Sequence, residues 1–435
     1  MGSATPGTSD RAHNAAPGAR PPAGAQPAPG AQSPPGAQAQ PAAGAPPAAQ
    51  TVPGADPRPP ARPAGRAPAA QPVWGRPEQQ DYRARIRGTL LGAALGDALG
   101  APLDVAGGEA FWASGPGDLL AVPGGGRAGT VTAHTQLALF TTEGLIRAQV
   151  RRDTGAWHPP TDLHAAYRRW YATQHEWGPD ERRTADGWLA REEWLYARRA
   201  PDRDCLTALG DAGAGTLDRP RNPRALSLAP ATRSTPLGLL TGWDPALVLQ
   251  LALECAVQTH GHPVSRLTAG AHALLVHALT RGAGPEEAVR AALPLLAAQP
   301  GHEPVTEALA AALDAVRAGA PDRPRAAALH GDGSPARGLA VALWAATVAP
   351  DIRTGLLLAV GHGPHSAARG ALCGALLGAA HGDTALPPDW LPALEGRASL
   401  LALAEDFALE MTQGPALHAP DRAAFAWLER YPREL

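Results

Sequence analysis

From residue 77 onward, apolar side chains recur with the spacing of helices. Ile86, Leu90, Leu91, Ala94, Leu95 and Ala98 repeat at three- and four-residue steps. Leu137, Phe140, Gly144, Leu145 and Ala148 do the same, as do Leu247, Leu251, Ala252, Cys255 and Ala256, and then Leu267, Ala271, Leu274, Leu275 and Ala278. This period marks one buried stripe per helix. Turn signals separate the runs: Gly261-His262-Pro263, Gly282-Ala283-Gly284-Pro285, Gly319-Ala320-Pro321 and Leu386-Pro387-Pro388. No segment alternates with the period of a strand, and no fixed-length repeat is present. The pattern predicts an all-α body, a single large multi-helix globular domain over 77–435. Gly92-Ala93-Ala94-Leu95-Gly96 and Gly374-Ala375-Leu376-Leu377-Gly378-Ala379 offer helix surfaces smooth enough for close helix–helix approach.

Residues 157–196 carry Trp157, Tyr167, Trp170, Tyr171, Trp177, Trp188, Trp194 and Tyr196. The favoured reading is a helix pair packed through large side chains; the alternative is an aromatic rim over a ligand cleft.

Composition divides the chain. Residues 1–76 are mostly Pro, Ala, Gly and Gln, with Trp74 as their one large aromatic. Such a segment cannot bury enough apolar area to offset the entropy of ordering, so it is expected to be a disordered tail. Its six Arg against Asp10 and Asp56 make it +4; with −2 overall, the body carries −6. That balance gives no nucleic-acid footprint. All 38 basic residues are Arg, which excludes a Walker lysine, a Schiff-base lysine and a kinase-type lysine. Cys205, Cys255 and Cys373 lie too far apart for a metal motif and read as small buried hydrophobes in a reducing compartment. The N-terminus lacks an apolar signal region, and no apolar run reaches the ~18 residues of a membrane span. The expectation is a cytoplasmic protein with no membrane partner.

Two distant segments have the same character. Gly129-Thr130-Val131-Thr132-Ala133-His134-Thr135-Gln136 opens one apolar run, and Gly363-Pro364-His365-Ser366-Ala367-Ala368-Arg369-Gly370 opens another. Each reads as a loop entering a helix, where backbone N–H groups and short polar side chains converge on a ligand. Neither contains the Asp or Glu that a hard divalent cation requires.

Five segments, in order, carry a resemblance. They are Arg85–Pro102 with its Gly-Asp-Ala-Leu-Gly turn, Thr132–Arg147, Arg233-Ser234-Thr235-Pro236-Leu237-Gly238-Leu239, Thr259-His260-Gly261-His262-Pro263, and Ala359–Gly382. Together they resemble the ADP-ribosylglycohydrolase family, relatives of the dinitrogenase reductase-activating glycohydrolase. The resemblance implies an all-helical fold, hydrolysis of a glycosidic bond to ADP-ribose, and commonly two Mg²⁺ ions held by carboxylates of two loops. Against the Thr-Asp-Asp-Thr loop of the family, this chain has Ala133 and His134 between Thr132 and Thr135. Against its Asp-x-Asp-Thr loop, it has His365, Ala367 and Ala368. Asp104 stands where the family often has a Glu. The Gly-rich loop that wraps ADP-ribose corresponds to 222–232, which has no glycine.

The resemblance therefore implies a family fold with Mg²⁺ binding lost and no cofactor expected. The leading expectation is a ligand-binding or regulatory module lacking Mg²⁺-dependent hydrolysis. Its partner would be an ADP-ribose-like or phosphate-containing small molecule, with the tail open to a protein partner. A hydrolase with altered chemistry and a purely structural protein are the alternatives. Asp97, Asp104, His134 and His365 are the vestigial cleft candidates. Thr132, Thr135 and Arg369 are the ligand-binding candidates, with Arg369 offered as a clamp for an anion. His134, His365 and Asp104 would be the ligands of a Zn²⁺ or other transition-metal site, if one exists, with His260, His262 or His362 able to add another. Asp97 also reads as a loop cap, and Glu143 as a buried partner for an Arg or a solvated residue rather than a general base.

Overall fold

The computed structural model describes residues 75–106, 127–152, 157–319, 323–361 and 363–434. The expected tail lies outside the described residues, except that Gly75 is described and Arg76 already opens the first helix. His362 also lies outside them. Among the described residues, sixteen α-helices follow one another: α1 (Arg76–Ala106), α2 (Ala133–Arg152), α3 (Pro159–Thr173), α4 (Arg203–Gly210), α5 (Ala229–Arg233), α6 (Pro245–Ala256), α7 (Pro263–Thr280) and α8 (Pro285–Ala297); then α9 (Glu303–Arg317), α10 (Arg323–His330), α11 (Pro335–Val348), α12 (Ile352–Val360), α13 (Ser366–His381), α14 (Arg397–Gln413), α15 (Pro415–His418) and α16 (Asp421–Arg430). No strand occurs among the described residues. None of the described helices is long and apolar enough to cross a membrane.

The core is organised around α1 and α13, which run antiparallel with their backbones in contact. Gly88 faces Gly378, Gly92 faces Gly374, Gly96 faces Gly370, and Gly100 faces Ser366. A Cβ on any of these glycines would run into the opposing main chain. Four-residue spacing keeps each set on one helix face, which is why a glycine seam forms here and not merely a glycine-rich helix.

Helix α2 is buried on every side from residue 133 to 150 except at His134. A helix that is covered all round belongs at the centre of the body. Its Glu143 lies fully buried between Arg147 and Arg169, and so removes two guanidinium charges from isolation. Pro at the first helical position starts α6, α7, α8 and α11, after Asp244, His262, Gly284 and Ser334. Leu247, assigned to the apolar stripe of α6, is instead exposed because it falls in the first, outward-facing turn.

The aromatic region differs from the expected helix pair. Tyr167 and Trp170 are buried within α3, but 184–196 forms three short 3₁₀ turns. Gly178-Pro179 and Gly187, the latter at φ 81°, interrupt any second α-helix. Trp177 is fully exposed, and none of these aromatics lines the cleft described next.

Candidate functional site

The two loop-to-helix segments meet. A cleft of about 330 Å³ is lined by Asp104, Thr132, His134, Ala200, Asp202, Ser227, Leu228, Ala229, Pro364, His365, Ala367 and Ala368. The glycine seam explains the meeting. It fixes the start of α13 against the end of α1, so Asp104 and the 363–368 loop arrive at one place.

Asp97 lies fully buried on α1, behind the cleft. Its carboxylate accepts from Thr132 N (2.8 Å), Thr132 Oγ1 (2.7 Å), Thr135 N (3.2 Å) and Thr135 Oγ1 (2.6 Å). Burial raises its pKa; the nearby His134 and the two threonines oppose that shift. The arrangement caps the N-terminus of α2 from another helix. Both threonine hydroxyls are committed to it. Thr132 still contributes to the cleft wall, whereas Thr135 lies beneath it.

Asp104 performs the corresponding task for α13. It accepts from Ser366 N (2.6 Å) and Ala367 N (3.2 Å), but at the open end of the cleft.

His134 occupies the first turn of α2, with Nδ1 3.0 Å from Thr232 Oγ1. The Thr232 hydroxyl donates to Ala229 O at 3.0 Å. The His134 Nδ1–H must then be the donor to Thr232, and the lone pair of the neutral ring lies on Nε2. His365 precedes α13 in the left-handed region at φ 67°. The residue is exposed, yet partial desolvation of its ring lowers its pKa; Asp104 opposes the shift, while Arg369 and His134 add to it. Asp104, His134 and His365 thus face one another around the cleft.

Arg369 is fully buried and is not among the cleft-lining side chains. It donates to Ala359 O (3.1 Å), Gly363 O (3.3 Å), Ser366 Oγ (3.1 Å) and Pro364 O, and meets His330 Nε2 at 3.2 Å. The guanidinium fastens Gly363, Pro364 and Ser366 to the end of α12. Burial pushes its pKa down to about 10, against the pull of Asp104.

The sequence reading missed Asp202. It caps α4, with Oδ1 accepting from Asp204 N (2.8 Å) and Cys205 N (3.1 Å), and it also lines the cleft. Its Oδ2 accepts from Ser227 Oγ at 2.8 Å, and Ser227 Oγ lies 2.9 Å from His260 Nε2. Burial raises the pKa of Asp202, but bonding to His260 and Ser227 outweighs it and holds the carboxyl below its usual range. An Asp before a helix is an ordinary cap signal, so nothing local distinguished it. Chain tethers bring it to the cleft: Ala133 N donates to Arg199 O at 2.8 Å, which places Ala200 and Asp202 beside the first loop. Ala200 adopts φ 45° there. With His365 it makes two non-glycine residues of the cleft lining held in the left-handed region, a form of strain that concentrates at functional sites.

His260 and His262 separate. His260 is fully buried against Ser227, while His262 caps α7 by accepting from Val264 N at 3.2 Å.

The family model described as ADP-ribosylglycohydrolase matches residues 78–416. A solved structure titled "ADP-ribosylglycohydrolase-related protein complex" is 26% identical, with the match covering 77% of this chain and 100% of that chain at a TM-score of 0.48. No curated protein matches the chain. With more than three-quarters of its length inside the family model, and the family's two loops brought to one cleft, the chain belongs to the ADP-ribosylglycohydrolase family.

Proposed function

We propose that this chain uses its family's fold as a ligand-binding or regulatory module, without Mg²⁺-dependent hydrolysis of ADP-ribosyl bonds. One observation carries the reading: where the two loops meet, they present His134, His365 and the methyl groups of Ala367 and Ala368. Mg²⁺ takes oxygen ligands in near-octahedral geometry at about 2.0–2.1 Å. Among the described residues the cleft lining supplies two carboxylates, Asp104 and Asp202, far short of the oxygen ligands that two such ions require. These donors do not fit a pair of Mg²⁺ ions, and no chemical step is assigned through such ions.

The lining also bears on the ligand. Among the described residues it holds two carboxylates and no Arg, so a bare phosphate would meet like charge inside the cleft. Ribose hydroxyls, in contrast, can donate to Asp104, Asp202 and the His134 Nε2 lone pair. The ligand class is an ADP-ribose-like molecule whose ribose enters the cleft while its phosphates stay at the mouth.

Thermal denaturation of chelator-treated protein tests this. ADP-ribose is expected to raise the midpoint without metal, inorganic phosphate to leave it unchanged, and ADP-ribosylated peptide plus Mg²⁺ to remain uncleaved. Cleavage with Mg²⁺ at a rate proportional to enzyme would overturn the reading. The combined variant Ala133→Asp, His134→Asp, His365→Asp, Ala367→Asp and Ala368→Thr should bind Mg²⁺ by calorimetry where the parent gives no heat. The Nε2 lone pair of His134 supports one second reading, a metal-independent hydrolase with this ring as general base. Turnover in chelator that disappears in His134→Ala would establish it instead.

A further inference from the structure

We infer that Asp202, Cys205 and His260 form a transition-metal site of the zinc class beside the cleft. One ligand atom from each, a carboxylate oxygen, Sγ and a ring nitrogen, lie within 4.8 Å of one another. The site shares no residue with the His134, His365 and Asp104 set, and it does not depend on the ligand reading above.

The geometry is near that of a bound ion. His260 Nε2 and Asp202 Oδ1 are 3.5 Å apart. Two ligands on a tetrahedral ion with bonds of about 2.0–2.1 Å are separated by about 3.3 Å. Zn–S bonds are longer, about 2.3 Å, so Cys205 Sγ, within 4.8 Å of the other two ligand atoms, completes three corners by approaching to about 3.5 Å of them. Asp202 lines the cleft, while Cys205 and His260 are fully buried. Two inner ligands and one facing the cleft leave the fourth position toward the cleft, for water or for Ser227.

The surroundings hold the three groups in place. Thr259 Oγ1 lies 2.8 Å from His260 Nδ1, which turns Nε2 toward Asp202, and Arg233 Nη2 donates to the same threonine at 2.7 Å. Fixing the second ring nitrogen through an outer partner is how a ligating histidine is oriented. Asn222, at φ 43°, donates through Nδ2 to Asp204 O (2.8 Å) and Thr259 O (3.0 Å). It thereby ties the Asp202–Cys205 turn to the His260 turn, although the two are more than fifty residues apart in sequence. Burial pushes the Cys205 thiol up to about 12; Arg233 Nη1, 3.5 Å from Sγ, opposes that shift, and a bound ion would have to displace the proton. With Asp202, thiolate and guanidinium counted, the pocket offers one net negative charge to a divalent ion. A thiolate and an imidazole select Zn²⁺ or Co²⁺ over Mg²⁺. Without metal, Ser227 Oγ bridges Asp202 and His260 and keeps both satisfied; on binding it yields or becomes the fourth ligand.

The test uses the full chain, stripped with chelator and titrated with Co²⁺. The expected result is a sulfur-to-cobalt charge-transfer band at one equivalent, together with the intense visible bands of tetrahedral Co²⁺, all bleached by Zn²⁺. Cys205→Ser should remove the charge-transfer band, and Asp202→Asn should weaken Co²⁺ binding about tenfold or more. No band in the wild-type protein would overturn the proposal. So would a band that persists in Cys205→Ser, or one lost in His134→Ala/His365→Ala, which would move the metal to the loops. If Cys205→Ser does not fold, zinc-edge X-ray absorption on the wild-type protein decides: one sulfur neighbour is expected, and its absence refutes the site.

Discussion

Asp97 and Asp104 sit two turns apart on α1, and each accepts backbone N–H groups from the first turn of another helix. Asp97 takes four donors from Thr132 and Thr135 and is sealed from solvent. Asp104 takes two, from Ser366 and Ala367, and stands at the open end. The difference separates scaffold from surface. A buried carboxylate that accepts four hydrogen bonds holds the α2 loop in place whatever the cleft binds. The exposed one can exchange a backbone donor for water or a ligand hydroxyl at little cost.

The largest effect expected from this contrast is in Asp97→Ala. It leaves two backbone donors and two hydroxyls buried without their acceptor, and should cost about 3–5 kcal/mol in urea unfolding. Should Asp97→Ala prove as mild as the same change at Asp104, the distinction between the two is lost.

Next comes a titration. His272, like Asp97, is wholly inside; its Nε2 lies 2.9 Å from Thr235 Oγ1, while Nδ1 has no partner among the described residues. Burial pushes its pKa from 6.5 down to about 3. The unfolded chain takes up this proton below about 6.5 and the folded chain does not until about 3, so stability falls as pH drops through that window. The slope is at most ~1.4 kcal/mol per pH unit from this one ring. His272→Gln should flatten it, as read from unfolding midpoints between pH 5 and 7; an unchanged slope would mean that the ring is reached by water.

The smallest effect belongs to Asp104→Ala, which removes an exposed cap at about 0.5–1 kcal/mol. It should nevertheless reduce the ADP-ribose-induced rise in midpoint. A larger stability loss than that of Asp97→Ala would reverse the comparison.

Most of the helical body was legible in the sequence because its signals are local. The Pro residues that start α7 and α8 and the apolar stripes of α1, α2 and α7 need no distant partner to be read. The glycines at 92, 96, 374 and 378 also announced close approach, although which helices would meet lay outside local pattern. The cleft was harder. His134 and His365 could be placed together only through the family resemblance. Asp202 could not be placed at all, since an Asp before a helix caps that helix in any protein. Its second role arises from Ser227 and His260, whose proximity is a property of the folded chain. Arg369 illustrates the opposite case: its position beside the loop suggested an anion clamp, but the nearby carbonyls of Ala359, Gly363 and Pro364 draw the guanidinium inward.

The seam of α1 and α13 has a consequence for how such a cleft can change. Main chain touching main chain leaves no compressible layer, so the helices that deliver Asp104 and Ala367 behave as one stiff beam. Variation in what the protein accepts must then come from the opposite bank, residues 200–202 and 227–229, where short side chains and irregular backbone can be redrawn without disturbing the beam.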